Sequence, residues 1–119
     1  MTGKLSAAAQ QELDTIAVAR RKLDRIHGLV EQYASGMKGQ DQLAIMIGRA
    51  ALELGRLLQG FGTIADQANQ LGMLARRGGT TQTKIRSMKD CVAGLRPALE
   101  RAEKAVYDKE AAEARGDSA

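Results

Sequence analysis

The 119-residue chain has no tryptophan, one phenylalanine, two tyrosines, one proline, one cysteine and one histidine. Each shortage removes a class of protein. Tyr33, Phe61 and Tyr107 are too few to build the stacking platform that holds single-stranded nucleic acid. A lone Cys91 cannot close an internal disulfide, which excludes a bridged secreted scaffold. As a nucleophile it would need an orienting base, and the single histidine falls in a different helical segment. A zinc or di-iron bundle requires several inward histidine and carboxylate ligands, whereas only Asp24-Arg25-Ile26-His27 approaches that pattern, once. No Gly-x-x-x-x-Gly-Lys-Ser/Thr phosphate loop is present. The longest strictly apolar run, Leu43 to Ile47, is far shorter than the ~20 residues of a membrane span, and Met1 to Ser6 carries no apolar leader. The expectation is a cytoplasmic, non-enzymatic protein with no cofactor, no metal, no small-molecule substrate and no membrane association.

What is abundant is helix-forming: alanine, leucine, glutamine, glutamate, arginine and lysine dominate. Three segments carry apolar residues at alternating three- and four-residue spacing, the pattern of a helix packed along its length against other helices. In the first, Ile16, Ala19, Leu23, Ile26, Val30, Tyr33 and Met37 form the stripe, widened by Leu13 and Leu29. Ser6 is the expected N-cap, Arg20 and Asp24 the expected i,i+4 ion pair, and Gly36 with Gly39 the stop. In the second, Asp41 is the expected N-cap. Leu43, Ile47, Ala50, Leu54, Leu57, Phe61, Ile64, Ala68, Leu71 and Ala75 then keep the spacing without interruption. In the third, Ile85, Met88, Val92, Leu95, Leu99, Ala102 and Val106 form the stripe. Pro97, on the side away from it, is expected to kink the helix, and Glu100 to pair with Lys104.

Helices of about 6–36, 41–76 and 81–114 joined by short turns predict a single all-α domain, an up-down-up antiparallel three-helix coiled-coil bundle. A fourth helix would result if the second segment broke at Gly60-Phe61-Gly62, with Thr63 capping a new helix. Unbroken spacing across Phe61 favours a continuous helix.

Gly48, Gly55 and Gly62 recur every seven residues beside that second stripe. Each glycine costs a helix interior about 1 kcal/mol relative to alanine, so their register predicts a small-residue groove for the close approach of another helix. The expected packing and oligomer interface is Gly48, Ala51, Leu54, Gly55, Leu57, Phe61, Gly62 and Ile64. The leading functional expectation is a self-associating interaction module: an adaptor, chaperone-like protein or structural subunit with protein partners, a second copy of the chain among them.

The charge of +4 is unevenly distributed. From Gln67 to Lys89 there are five basic residues, Arg76, Arg77, Lys84, Arg86 and Lys89, and no acid; from Asp90 onward seven acids face five bases. The basic turn supplies the alternative expectation, electrostatic and largely sequence-independent binding of DNA or RNA through those five cations. Plain turn-and-cap chemistry is the favoured account of Arg76-Arg77-Gly78-Gly79-Thr80-Thr81.

Overall fold

The computed structural model describes residues 5–36, 39–77 and 81–115. Among them are four α-helices and no strand: α1 (Ala7–Ala34), α2 (Gln40–Leu57), α3 (Thr63–Arg76) and α4 (Thr81–Ala114). The architecture is an all-α bundle, with four helices in place of three. The favoured expectation of one continuous second helix gives way to its alternative, a break at Gly60-Phe61-Gly62 that yields a fourth helix. α2 stops at Leu57, a single 3-10 turn follows over Gln59–Phe61, and Gly62 at φ +76° and ψ −140° reverses the chain into α3. Only glycine adopts that conformation without strain. Thr63 is the first residue of α3 and not its cap, and Asp41 lies in the first turn of α2 behind an N-cap at Gly39, φ +88°. Gly78, Gly79 and Thr80, like Met37 and Lys38, lie outside the described residues.

Each helix runs antiparallel to the next, and the four close into a ring in which α1 also neighbours α4. Cross-helix pairs fix the directions. Gln40 Nε2 donates to the Tyr33 carbonyl at 2.8 Å and Lys22 meets Glu53 at 3.6 Å between α1 and α2. Between α1 and α4, Arg20 meets Glu103 at 3.0 Å and Asp24 meets Arg96 at 2.9 Å. The molecule is a rod of 56 × 19 × 18 Å.

The two long helices, of 28 and 34 residues, outrun the α2–α3 hairpin, whose helices have 18 and 14. Phe61, at the hairpin tip, borders Ala98 and Ala102 of α4. Beyond that level α1 and α4 continue as a two-helix stem. At its end Ser6 caps α1, its hydroxyl accepting from the Ala9 N–H at 3.1 Å, while the Ser6 N–H donates to Glu110 at 2.8 Å. A carboxylate there complements the positive end of the helix dipole.

The core is aliphatic. Ile16, Leu23, Ile26, Ile47, Leu54, Leu58, Leu71, Met88, Leu95 and Leu99 are fully buried, and no polar or charged residue is buried with them among the described residues. Along α2 and its C-cap the buried row is Ile47, Ala51, Leu54 and Leu58: Ile47 and Leu54 keep their expected places, while Ala51 and Leu58 take those of Ala50 and Leu57, which lie on the flank. The two expected local ion pairs are corrected as well. Arg20 and Asp24 each pair across to α4, and Lys104 bonds Asp108 at 2.9 Å rather than Glu100. α4 passes through Pro97 as one helix, with the ring on the exposed side.

Gly28 and Gly94 sit on exposed helix surface, and a Cβ at either would meet nothing within 4 Å. Gly28→Ala and Gly94→Ala should therefore each raise the unfolding free energy by about 1 kcal/mol through helix propensity alone. Urea denaturation of the two variants checks this, and an unchanged midpoint would contradict it.

Candidate functional site

The glycine groove is real, and its occupant is α3 of the same chain. A Cβ on Gly72 would stand 3.4 Å from the Gly48 carbonyl oxygen and 3.5 Å from the Ala51 methyl. Opposite Gly48 lies the aliphatic stem of Arg76, 3.5 Å from where a Cβ would be, and opposite Gly55 lies the Asn69 carboxamide. Ala51, Leu54 and Ile64 are buried in the core, while Leu57 and Phe61 are partly buried against it. Gly62 stands apart from the groove, at the turn. Of the residues expected to join copies, Gly48, Ala51 and Gly55 thus face α3 of the same chain.

The five cations of the basic segment do not share a face. Arg76 lies in the α2–α3 seam over Gly48. Arg77 ends α3 in extended backbone, its N–H bonded to the Met73 carbonyl at 3.0 Å. The Lys84 ammonium is 5.6 Å from the centre of the Tyr33 ring, a cation–π contact that ties α4 to α1. Arg86 is exposed on the outer side of α4 beside Gln82 and Asp90. Lys89 rims the groove between α1 and α4 with His27, Val30, Val92 and Arg96. Arg76 and Lys89 therefore occupy opposite seams of the ring.

His27 lies on exposed surface, 3.6 Å from Glu31. No group of three or more His, Cys, Asp or Glu positioned for a metal occurs among the described residues. Cys91 is half-buried between α3 and α4, its thiol donating to the Gln67 carbonyl at 3.4 Å, and burial pushes its pKa above the usual thiol range. Such a thiol is less reactive than a free one.

One surface that sequence reasoning missed stands out. Along α2, Ile45, Arg49, Leu52 and Arg56 recur at i, i+4, i+7 and i+11, one row of the helix. Along α3, Asn69, Met73 and Arg76 recur at i, i+4 and i+7. The two rows border each other: Leu52 lies against Gly72, Arg76 over Gly48 and Asn69 over Gly55. Together they form the outward face of the hairpin. Ile45 is 53% exposed and Met73 59%, the two most exposed large apolar side chains of the described residues. Arg49, Arg56 and Arg76 have no ion pair among the described residues. The described ion pairs instead involve α1 or lie within α4. The second spacing pattern on α2 was the available signal, hidden behind the stronger core stripe.

Comparison with protein-family models, with characterised proteins and with solved structures finds no significant match. No helix among the described residues is long and apolar enough to cross a membrane.

Two outcomes follow from this geometry. Gly72→Leu should lower the unfolding free energy by about 1–3 kcal/mol by overpacking the hairpin, whereas Gly48→Ala, whose methyl meets only ordinary contacts, should be tolerated; denaturant titration separates them. The Cys91 thiol, raised by burial in the folded state, contributes stability that is present below the unfolded thiol pKa of about 8.5 and lost as pH rises through it towards the folded value. The denaturation midpoint of the wild type should accordingly fall more steeply above that pH than that of Cys91→Ala. Parallel pH profiles would contradict this.

Proposed function

We propose that this protein is a non-enzymatic helical interaction module, an adaptor or structural subunit, that docks a protein partner on the outer face of its α2–α3 hairpin. The observation that carries this reading is the exposure of Ile45 and Met73 on a hairpin whose helices approach closely at Gly48, Gly55 and Gly72. Large apolar side chains presented on ordered helices raise the free energy of the isolated chain, and burial against a partner removes that cost at about 25 cal/mol per Å². Methionine suits the purpose because its unbranched side chain adapts to irregular surfaces. Because α3 of the same chain lies in the glycine groove, the glycines do not by themselves argue for self-association. The electrostatic nucleic-acid reading draws on Arg76, Arg77, Lys84, Arg86 and Lys89, and their dispersal over different seams spreads the charge that a duplex would need on one side.

Photo-crosslinking side chains placed at Ile45 and at Met73, with Arg21 on the exposed side of α1 as the control position, test the reading in extracts of the native host. The expected result is one crosslinked protein common to positions 45 and 73, lost from position 45 when Met73→Asp is introduced and from position 73 when Ile45→Asp is introduced, and absent from position 21. Equal crosslinking from Arg21 would overturn it.

A further inference from the structure

We propose that the outer face of the α2–α3 hairpin binds an acidic amphipathic helix of its partner. This rests on the docking reading above and adds the chemistry of the occupant.

The argument begins with the order of side chains along the two rows. On α2, apolar Ile45 and Leu52 alternate with Arg49 and Arg56; on α3, Met73 is followed by Arg76. From Ile45 to Arg56 the face runs about 16 Å at 1.5 Å per residue, three turns of helix. The glycines at 48, 55 and 72 bring the two backbones close, so the seam between the rows is narrow. A single helix laid along it would place apolar side chains at i, i+3 or i+4 and i+7 against Ile45, Leu52 and Met73. Residues on its flanks would stand opposite the guanidinium groups.

Those guanidinium groups select the sign of the flanks. Arg49, Arg56 and Arg76 form no ion pair within the described residues, while Glu53, the acid of α2 nearest them in sequence, is turned to Lys22 of α1. The remaining acids of the hairpin, Asp41 and Asp66, lie in the first turns of α2 and α3, where they complement helix N-termini. Arginine offers a planar fork of donors that matches a carboxylate bidentately. Glutamate or aspartate on both flanks of the incoming helix therefore pairs with cations that the fold itself leaves unmatched.

Two rival polyanions fit less well. A phosphate backbone offers nothing apolar to Ile45 and Met73, which share these rows with the arginines. A lipid surface asks for charged and apolar sides to be segregated around a helix, and here they alternate along the same rows.

The test uses the full chain and a fluorescent synthetic helix of about 18 residues, with leucine and methionine on one side and glutamate on the other. A matched peptide with lysine replacing glutamate, a random DNA duplex and vesicles containing phosphatidylglycerol complete the set. The expected result is saturable binding of the glutamate peptide, at least about tenfold tighter than the lysine peptide and weakened by salt. The double variant R49E, R56E and, separately, Ile45→Ala with Met73→Ala should each weaken it by about tenfold or more. All four side chains are exposed or at the surface, and circular dichroism confirms that the variants remain helical. Equal binding of the two peptides, insensitivity to R49E, R56E, or binding of duplex or vesicles in preference to the glutamate peptide would overturn the inference. If crosslinks from positions 45 and 73 find a partner while the glutamate peptide does not bind, the inference falls and the docking reading stands. If the crosslinks fail, the docking reading falls as well.

Discussion

The close approach of α2 and α3 is the constraint on which the rest of the structure depends. At Gly72 a methyl group would stand in contact with the carbonyl oxygen of Gly48, and at Gly55 it would collide with the Asn69 carboxamide. Glycine in helix interiors is expensive, at about 1 kcal/mol a site, and here the cost is offset by a thin hairpin whose buried faces are largely alanine and glycine. That thinness lets α2 and α3 together cover the apolar faces of two much longer helices. It also aligns their outer rows into one continuous surface, where wider spacing would leave a gap.

The all-helical bundle, most of its core and the cap at Ser6 were legible in the residues, because burial of one helical stripe is a local, periodic property. The break at Gly60-Phe61-Gly62 was legible only as the less favoured alternative. Apolar spacing records which side of each helix is buried and is blind to direction, so a hairpin whose turn preserves the phase reads as one long helix. Phe61 kept the phase because it sits at the tip, partly buried against α4, where it still faces the core. The sign that outweighed it was the pair Gly60 and Gly62, one of which takes a backbone conformation closed to other residues. The ion pairs failed for a related reason. Arg20 and Asp24 are well spaced for each other, yet both find better-placed partners on α4, which no inspection of α1 alone reveals.

The candidate surface was only half legible. Gly48 and Gly55 announced a close helix contact and Gly62 a turn instead, but sequence spacing says nothing about whether the visiting helix belongs to the same chain. Once α3 is seen to fill the groove, attention passes to what the groove brings to the outside: Ile45 and Met73, neither of which belongs to any core stripe. Arg76 changes meaning in the same way. Grouped by sequence with Arg77, Lys84, Arg86 and Lys89 it looked like part of a phosphate site; grouped by fold it belongs with Arg49 and Arg56.

The two-helix stem carries a consequence of its own. Where the hairpin ends, α1 and α4 lose two of their neighbours, and the buried residues thin to Ala9 and Val106 with a polar clasp between Ser6 and Glu110. Fewer buried contacts mean a smaller free energy for local opening. Backbone amides along the rod should therefore form a gradient, slowest to exchange beneath the hairpin around Leu23 and Leu95 and fastest at the stem. The rod would unzip from that end first, leaving the four-helix part intact while its tip is already open.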